Sequence, residues 1–383
     1  MIKSDPQFSN SLILWYLENG RNLPWRETRD PYPIWLSEII LQQTRVEQGL
    51  PYYDRFLKAF PTVKDLALAS EDRVFKLWQG LGYYSRARNL HTTARYIHFE
   101  RGDVFPDNYK DLLQLKGVGD YTASAISSIC FDETQAVVDG NVYRVLSRVF
   151  GLDTPIDTTA GKKQFRELAQ QLIDPDQPGT FNQAIMEFGA RHCVPRNPDC
   201  QNCIFRDRCV AYKLDQIEKL PLKKGKTKVK KVYHQYLVLT SSDGKTILER
   251  RDGKGIWSGL YQFPLMETDQ PYPINEQLPE QLLEPYREGY GLRSVSLYNE
   301  QAVVHVLSHR RIYAHFWILE TEELADKGVD FKSISNYPVP VLMDKFIQSF
   351  PGFESSEKWK VNHQASNSWF FLNRPIIFKN YDK

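Results

Sequence analysis

The sequence predicts a mainly α-helical N-terminal region followed by a separate α+β domain. Apolar residues recur at helical spacing through most of residues 1–219, and Pro and Gly separate the segments. A Lys-rich stretch at residues 220–231, with six lysines and no acid, then interrupts this pattern and is expected to be a solvated linker. Residues 232–383 contain β-branched and aromatic runs, which are typical of strands.

Length and composition fit this division. A chain of 383 residues has room for two domains, possibly three, each with its own core. The formal net charge of +2 argues against a general polycation, so any contact with nucleic acid must come from local patches and oriented backbone N–H groups. No run of 18 apolar residues occurs and the N-terminus lacks a signal-peptide core, so we expect a cytoplasmic protein with no membrane contact.

The first segments contain an acid in apolar surroundings. Residues 8–18 predict an amphipathic helix, residues 23–26 an extended turn, and residues 33–44 a nearly all-apolar helix that starts at a proline. Glu38 lies within this second helix, where a desolvated carboxylate would have a raised pKa and be protonated near neutral pH. The alternative is that Glu38 faces solvent or pairs with Arg45.

Residues 51–100 predict two or three further helices. Among them, a glycine turn at Gly82 joins Tyr83 and Tyr84 to Arg86 and Arg88. Aromatic side chains interleaved with positive charge suit base stacking and phosphate contacts. Packing of the tyrosines between helices is the alternative.

The stretch from residue 112 to residue 129 predicts a helix-hairpin-helix. An apolar helix is expected to run to Leu115 and break at Gly117-Val118-Gly119, after which a second helix begins. N–H groups at the start of that helix would point outward at an anion, for which a nucleic-acid phosphate is a natural choice. Asp139 then precedes another predicted helix, whose N-terminus would favour its ionised form. An ordinary turn and a plain N-cap are the alternatives.

Further helices are predicted over residues 162–190, and a four-cysteine loop follows them. The spacing of the loop is C-x6-C-x2-C-x5-C, formed by Cys193, Cys200, Cys203 and Cys209. Four thiolates in a short loop indicate a metal site, with an iron–sulfur cluster favoured over zinc or unligated thiols. Cys130, inside an apolar helix, is interpreted as a core residue.

The C-terminal domain is predicted to contain five strands, one helix and a hairpin at Asp243-Gly244. The helix spans residues 278–290, and the strands are expected at residues 233–240, 246–250, 260–265, 294–298 and 303–319.

Together these motifs resemble the adenine DNA glycosylases of the MutY family, which are helix-hairpin-helix glycosylases. The resemblance runs in order from about residue 8 to residue 213, and the C-terminal domain resembles the Nudix-like domain that this family uses to recognise 8-oxoguanine. The matching stretches are LPWR (23–26), WLSE (35–38), LQQT (41–44), GLGYY (80–84), GVG (117–119), VDGNV (138–142) and the four-cysteine loop.

The resemblance implies removal of adenine mispaired with 8-oxoguanine or guanine in duplex DNA by a monomeric enzyme with a [4Fe-4S] cluster. It implies that Glu38 protonates adenine N7 and handles the water, while Asp139 stabilises an oxocarbenium-like sugar. This division of labour agrees with glycoside hydrolysis in general. Tyr121 and Asn141 match catalytic neighbours, Arg26 and Glu187 match adenine-pocket residues, and Leu41, Gln43, Tyr83 and the hairpin Gly117, Val118 and Gly119 match DNA-contacting positions.

Three further expectations follow from the resemblance. Related enzymes that also cut the strand carry a Schiff-base lysine at the position of Tyr121, and Lys116 is out of register, so a monofunctional glycosylase is expected. Ser308 and His309 occupy the place of a Phe-Ser-His loop that would bind 8-oxoguanine, although Leu307 departs from that pattern. The domain lacks the R-E-x2-E-E run of the Nudix box, so Mg²⁺-dependent pyrophosphatase activity is not expected.

Three rival interpretations remain at this point. One is a related glycosylase for thymine in mismatches or for oxidised pyrimidines. Another is a non-catalytic DNA-binding repair protein. The third concerns the C-terminal domain alone, which would serve only in packing.

Overall fold

The computed structural model describes residues 5–225, 229–253, 255–274 and 277–353. The chain divides into two compact units, Met1–Thr227 and Lys228–Lys383. The division falls inside the Lys-rich stretch 220–231. None of the helices in the described ranges has the length and apolar character needed to cross a membrane.

The first unit is helical. Polar side chains accept hydrogen bonds at the N-termini of many of its helices, among them Asp5, Asp30, Thr62 and Ser70. Its helices are α1 (Pro6–Asn19), α2 (Pro31–Leu41), α3 (Val46–Ala59), α4 (Val63–Leu68), α5 (Glu71–Trp78), α6 (Ser85–Arg101), α7 (Tyr109–Leu112), α8 (Asp120–Phe131), α9 (Gly140–Phe150), α10 (Thr159–Leu172), α11 (Pro178–Arg191) and α12 (Val210–Lys213).

The packing of five helices creates the surroundings of the candidate site. Helix α11 packs against α1, α8 and α9, and α2 packs against α8. Segments far apart in sequence therefore meet around the C-terminal half of α2.

Two predicted helices of this unit are confirmed with shifted ends. Helix α1 covers the stretch predicted over residues 8–18, whereas residues 24–26 form a short 3-10 helix instead of an extended turn. Helix α2 begins at Pro31, where Asp30 accepts a hydrogen bond from the Tyr32 backbone N–H. It ends at Leu41, because Gln43 has a left-handed backbone (φ +59°) that an α-helix cannot contain.

The hairpin differs from its prediction in its first helix. Helix α7 is a single turn that ends at Leu112, and turns continue to Gly117. Gly117 has φ +82°, and a Cβ there would lie 2.6 Å from the Asn89 Cβ, so this glycine is required by both conformation and packing. A Cβ on Gly119, the N-cap of α8, would meet open space. The chain itself therefore leaves room for a partner at this helix start.

The Lys-rich stretch is only partly a linker. The Leu220 side chain is 4% exposed, and its carbonyl accepts from Arg148 Nε at 3.3 Å. The Asp157 carboxylate accepts from the N–H groups of Lys224 and Gly225 at 2.8 and 2.9 Å. Residues 222–225 are exposed to solvent, as predicted, but the stretch 220–225 is not a free linker, because these contacts hold its backbone on the helical unit. A strand already begins at Lys230, and residues 226–228 lie outside the described ranges.

The second unit is built on a mixed sheet. Its main path is β5-β1-β8-β6, β7 also pairs with β8, and β1 runs parallel to β8. Separate apolar clusters cover the two faces of this sheet. The elements are β1 (Lys230–Ser241), β2 (Lys245–Thr246), β3 (Glu249–Arg250), β4 (Tyr261–Gln262), β5 (Leu265–Thr268), α13 (Glu280–Tyr290), β6 (Ser294–Leu297), β7 (Val303–Val306), β8 (Arg310–Thr321), β9 (Val329–Asp330) and α14 (Val341–Ser349).

Several strand predictions need correction. The strand predicted over residues 246–250 is divided between β2 and β3, and the one predicted over residues 260–265 is divided between β4 and β5, with the members of each pair in different sheets. The single strand predicted over residues 303–319 is an antiparallel hairpin, with β7 and β8 joined by residues 307–309. A turn occurs at Asp243-Gly244, but β2 beyond it pairs with β9 and does not form a hairpin with β1. Alternating side chains do not reveal where a strand reverses or which strand it joins.

Candidate active site

Glu38 is buried among apolar side chains of α2. It is 8% exposed, and Ile34, Ile39 and Ile40 beside it are also buried. Burial raises the pKa of Glu38 to about 7, although a hydrogen bond with Tyr121 acts in the opposite direction. The alternative that Glu38 faces solvent is therefore wrong. The carboxyl can carry a proton near neutral pH, as the sequence predicted.

This buried acid has a cost in stability that depends on pH. The pKa of Glu38 is about 7 in the folded protein, whereas its ordinary value is 4.5. Glu38 therefore does not lower the free energy of unfolding below pH 4.5, and it lowers it progressively as pH rises through 7. We expect Glu38→Gln to raise the free energy of unfolding by about 3 kcal/mol near pH 8. The gain should shrink as pH falls towards 4.5. Chemical denaturation across this range checks it, and an equal effect at all pH values would contradict it.

Asp139 is the N-cap of α9. Its Oδ1 accepts from the backbone N–H groups of Asn141 and Val142 at 2.9 and 2.8 Å, and its Oδ2 accepts from Asn141 Nδ2 at 2.9 Å. Burial nevertheless raises the pKa of Asp139 above its ordinary value, and these donors oppose that rise. The sequence predicted that the helix N-terminus would favour the ionised form, which the donors do. The sequence did not predict that Asp139 is buried, and the effect of burial on its pKa is larger than the effect of these donors.

Glu38, Asp139 and Tyr121 belong to one site. The charge of Asp139 raises the pKa of Glu38, and both carboxylates contribute to a Tyr121 pKa well above its ordinary value, although burial is the largest cause. The Tyr121 hydroxyl donates to Met186 Sδ at 3.0 Å, and it lies close enough to Glu38 for each group to shift the pKa of the other. Residues from α2, α8 and the cap of α9 therefore converge, and Tyr121 keeps its phenolic proton.

A buried ion-pair group is connected to this site. Glu187 on α11 is 1% exposed and accepts from Arg21 Nε and Arg26 Nη2, both at 2.8 Å. Burial alone would raise the pKa of Glu187, but hydrogen bonds from both arginines lower it to about 2. Arg26 in turn opposes the raised pKa of Glu38. The sequence does not predict this role for Arg21, because a single arginine after a helix has no distinguishing pattern.

Arg144 links the acid site to the four-cysteine loop. Its Nη2 donates to Asn141 Oδ1 at 2.9 Å and to the Gly189 carbonyl at 2.6 Å, while its Nε donates to the Cys193 carbonyl at 2.7 Å. Asn141 is the residue whose Nδ2 binds Asp139. A continuous chain of hydrogen bonds therefore runs from the backbone of Cys193 to the second carboxylate. No pattern in the sequence indicates this role for Arg144.

The four cysteines line one cavity, together with residues that include Arg206 and Tyr212. The Phe205 backbone N–H lies 3.4 Å from Cys203 Sγ, and Arg148 Nη1 lies 3.5 Å from Cys193 Sγ. Such donors favour anionic sulfur. Burial, by contrast, raises the pKa of Cys203 to about 12, so the cavity needs a cationic group to hold thiolates. This donor set fits a thiolate-bound metal group.

Two further observations concern single-ion sites and the fifth cysteine. No set of three or more His, Cys, Asp or Glu side chains in the described ranges is spaced to hold a single metal ion. Cys130 lies on α8, is half-buried and is not among the residues that line the cavity, so its interpretation as a core residue holds only in part.

Two exposed side chains with unusual backbone geometry flank the end of α2. Gln43 (φ +59°) and Tyr83 (φ +49°) both adopt the left-handed region, and Tyr83 is 50% exposed. Leu41, two residues before Gln43, is half-buried. Within the hairpin, Val118 is buried while Gly117 and Gly119 are exposed. These are the positions that the sequence assigned to DNA.

The remaining predicted site residues lie in the second unit. Ser308 and His309 are exposed at the tip of the β7–β8 hairpin, and Ser308 Oγ lies 3.2 Å from His309 Nδ1. Leu307 is half-buried against the adjacent apolar cluster.

Comparison with known proteins gives matches over both units. A model of the HhH-GPD superfamily base excision DNA repair protein matches residues 36–175, and a NUDIX domain model matches residues 235–349. Among curated proteins, the chain is 37% identical over 262 residues to an adenine DNA glycosylase of Buchnera aphidicola subsp. Schizaphis graminum, covering 68% of this chain and 75% of that protein. It is 33% identical over 368 residues to an adenine DNA glycosylase of Mus musculus, covering 82% and 71%.

Among solved structures, the chain is similar to a thermostable thymine-DNA glycosylase. The TM-score is 0.51 and the sequence identity is 32%, and the match covers 54% of this chain and 96% of that one. This similarity is confined to about half of the chain.

Proposed function

Because the chain belongs to the adenine DNA glycosylase family, within the HhH-GPD superfamily of base excision DNA repair proteins, we propose that it removes adenine mispaired with 8-oxoguanine or guanine from duplex DNA. It is an adenine DNA glycosylase and acts on DNA. The proposal concerns its mispair specificity and the residues that carry the reaction.

The single observation that carries the mechanism is a buried, protonatable carboxyl facing a second carboxyl. With a pKa of about 7, Glu38 can donate a proton to adenine N7. The C1′–N9 bond then breaks, and its electron pair leaves with the protonated base. Adenine must first leave the stack to reach Glu38, which costs a few kcal/mol.

Asp139 supplies the complementary charge. As the N-glycosidic bond breaks, positive charge develops on the sugar, and an ionised Asp139 stabilises it electrostatically. Water adds to C1′ and its proton passes to Glu38, so the products are free adenine and an abasic sugar. Asn141 holds Asp139 in position through its Nδ2 contact at 2.9 Å.

Neighbouring side chains are assigned to the adenine pocket. Arg26, fixed by Glu187, presents a cation and donors near Glu38. Tyr121, whose hydroxyl lowers the pKa of Glu38, is assigned to orient the Glu38 carboxyl. These roles are supported by the contacts and by the family resemblance.

The exposed loops are assigned to the duplex. Tyr83 and Gln43, with Leu41 behind them, would fill or wedge the space beside the mispair. The hairpin around Val118 would present the N-terminus of α8 to a phosphate, and the open space at Gly119 supports this assignment.

Recognition of 8-oxoguanine is assigned to the C-terminal unit. Ser308 and His309 offer exposed hydrogen-bonding groups at a hairpin tip, within the residues matched by the NUDIX domain model. Leu307 supplies an aliphatic contact where many family members have an aromatic one.

We assign a [4Fe-4S] cluster to Cys193, Cys200, Cys203 and Cys209. Four thiols lining one cavity, with N–H donors directed at two of the sulfurs, support this assignment. When bound, the cluster supplies iron–thiolate bonds that tie the loop together. Arg206 in this loop would then be held in place for contact with phosphates, whereas Arg208 already pairs with Asp5.

Single-turnover base release tests the proposal. Duplexes that differ only in the target pair, A:8-oxoguanine, A:G and G:T, are compared, and a visible absorption spectrum reports iron–sulfur content. We expect release of adenine, fastest opposite 8-oxoguanine, and a smaller preference over A:G in Ser308→Ala. Release of thymine from G:T without adenine release would contradict the specificity, and a colourless active protein would contradict the cluster.

The proposal also predicts little strand cleavage. A lyase of this fold needs an amine that forms a Schiff base with the sugar, and Tyr121 has a phenol whose pKa is well above its ordinary value. We expect borohydride to trap no adduct through a hairpin lysine after base release, whereas Tyr121→Lys should yield one. A strong adduct of the native protein through Lys116 would contradict this prediction.

A further inference from the structure

Arg86 is a buried arginine whose guanidinium binds backbone carbonyls from two separate segments. It lies on α6 and is 8% exposed. Its Nη1 donates to the carbonyls of Ile39 (3.0 Å), Ile40 (2.9 Å) and Gln42 (2.6 Å), and its Nη2 donates to those of Leu81 (3.4 Å) and Gly82 (3.2 Å). Burying a cation is costly unless acceptors such as these carbonyls surround it. The burial of Arg86 therefore calls for a structural explanation.

The Nη1 group of Arg86 caps the C-terminus of α2. The last carbonyls of a helix have no partner within it and form the negative end of its dipole, so a cation there is favourable. The carbonyl of Gln42 is the final one before Gln43, where the backbone turns left-handed (φ +59°). This conformation is unfavourable for a residue with a Cβ, so it must be held by its neighbours.

The Nη2 group of Arg86 binds the turn that precedes Tyr83. The Gly82 carbonyl also accepts from Trp78 Nε1 at 3.0 Å, and the Tyr83 carbonyl accepts from the Arg86 backbone N–H at 2.9 Å. Arg86 Cζ lies 5.6 Å from the Tyr83 ring centroid and 5.0 Å from that of Trp78. Tyr83 is likewise left-handed (φ +49°). Arg86 therefore supports this backbone and also lies against its exposed ring.

We propose that Arg86 is a positioning residue that holds Gln43 and Tyr83 as one rigid pair, so that both enter the duplex together when adenine leaves the stack. The inference rests on the proposed function, in which these two side chains occupy the duplex beside the mispair. It assigns to Arg86 a role in extruding the base and none in breaking the glycosidic bond.

Only arginine meets these requirements. Burial lowers the pKa of Arg86 to about 10, so the group stays charged at neutral pH. Its planar fork reaches both segments at once, whereas a lysine ammonium is a single point with three donors. Arg86→Lys keeps the charge and most of the volume, but it loses the hydrogen bonds to one of the two segments.

The test compares Arg86→Lys with a matched variant on the same helix. Arg95 donates through Nη1 to the Ala67 carbonyl (3.4 Å) and lies over the Phe99 ring (5.1 Å), and these contacts involve neither segment, so Arg95→Lys is the control. Single-turnover adenine release is measured on a paired A:8-oxoguanine duplex and on the same duplex with the adenine in an unpaired bulge. The fluorescence of 2-aminopurine at the adenine position reports extrusion.

We expect Arg86→Lys to slow release from the paired duplex at least about tenfold and to weaken the 2-aminopurine signal. Release from the bulge should stay within about threefold of the native rate, because an unpaired base needs little help to leave the stack. Arg95→Lys should match the native protein on both substrates.

Three results would overturn the proposal. They are an unchanged rate on the paired duplex, an equal loss on both substrates, and failure of Arg86→Lys to fold at the assay temperature while Arg95→Lys folds. The last two would show that Arg86 serves only to support the structure around α2. If the native protein released no adenine from either substrate, the proposed function itself would fail, which is a separate and distinguishable result.

Discussion

Replacing Glu38 by glutamine is expected to lower the single-turnover rate of adenine release on the order of a thousandfold, which is within the range of general acid catalysis. Glutamine has the same shape but no acidic proton to give to adenine N7. Glu38 is 8% exposed, whereas the positions assigned to DNA contact lie on the surface. Duplex affinity should therefore change little, and gel-shift titration beside the rate measurement checks both expectations.

The matched control is Glu18→Gln, on the exposed part of α1. It should leave rate and affinity unchanged. If Glu38→Gln retained most of the native rate, the acid role would be lost and a non-catalytic DNA-binding function would gain support. If it lost binding and rate together, the glutamate would be needed for the fold of the site.

Replacing Asp139 by asparagine is expected to lower the rate about a hundredfold to a thousandfold, similar to the loss of other preorganised electrostatic groups. Asparagine is as good an N-cap as aspartate, so its Oδ1 can still accept from the N–H groups of Asn141 and Val142, and only the contact with Asn141 Nδ2 is lost. The charge facing the sugar is removed while the cap remains. Single-turnover release measured beside thermal unfolding should therefore show a large loss of rate with a small change in stability.

Asp30→Asn provides the comparison, because Asp30 caps α2 in the same way through the Tyr32 N–H. If Asp139 were no more than a cap, both variants would keep the native rate. A loss confined to Asp139→Asn supports electrostatic stabilisation of the sugar.

The acids were predictable because each lies in a short local pattern. Glu38 stands in an apolar helical run, and Asp139 precedes a glycine and a helix, so burial of the first and capping by the second follow from nearby residues. That both acids approach Tyr121 was implied only by the family resemblance. It depends on α2 packing against α8 and on α11 packing against both α8 and α9, which periodicity does not specify.

The arginines around the site were not predictable. Arg21, Arg86 and Arg144 are buried or half-buried, and most of the partners of Arg86 and Arg144 are backbone carbonyls. A carbonyl exists at every residue, so such contacts leave no pattern in the sequence. The β7–β8 reversal at residues 307–309 was missed for a related reason, since it lacks the Gly or Asn that usually indicates a tight turn.

The central claim is that Glu38 is held protonated beside a second acid, and it can be measured on the native protein without DNA. The ¹³C chemical shift of the Glu38 carboxyl is titrated against pH, assigned by its absence in Glu38→Gln, and repeated in Asp139→Asn. We predict a midpoint near 7 in the native protein and a lower one in Asp139→Asn, because the charge of Asp139 raises the pKa of Glu38. A native midpoint near the ordinary value of 4.5, or one that Asp139→Asn leaves unmoved, would contradict the convergence of these two acids.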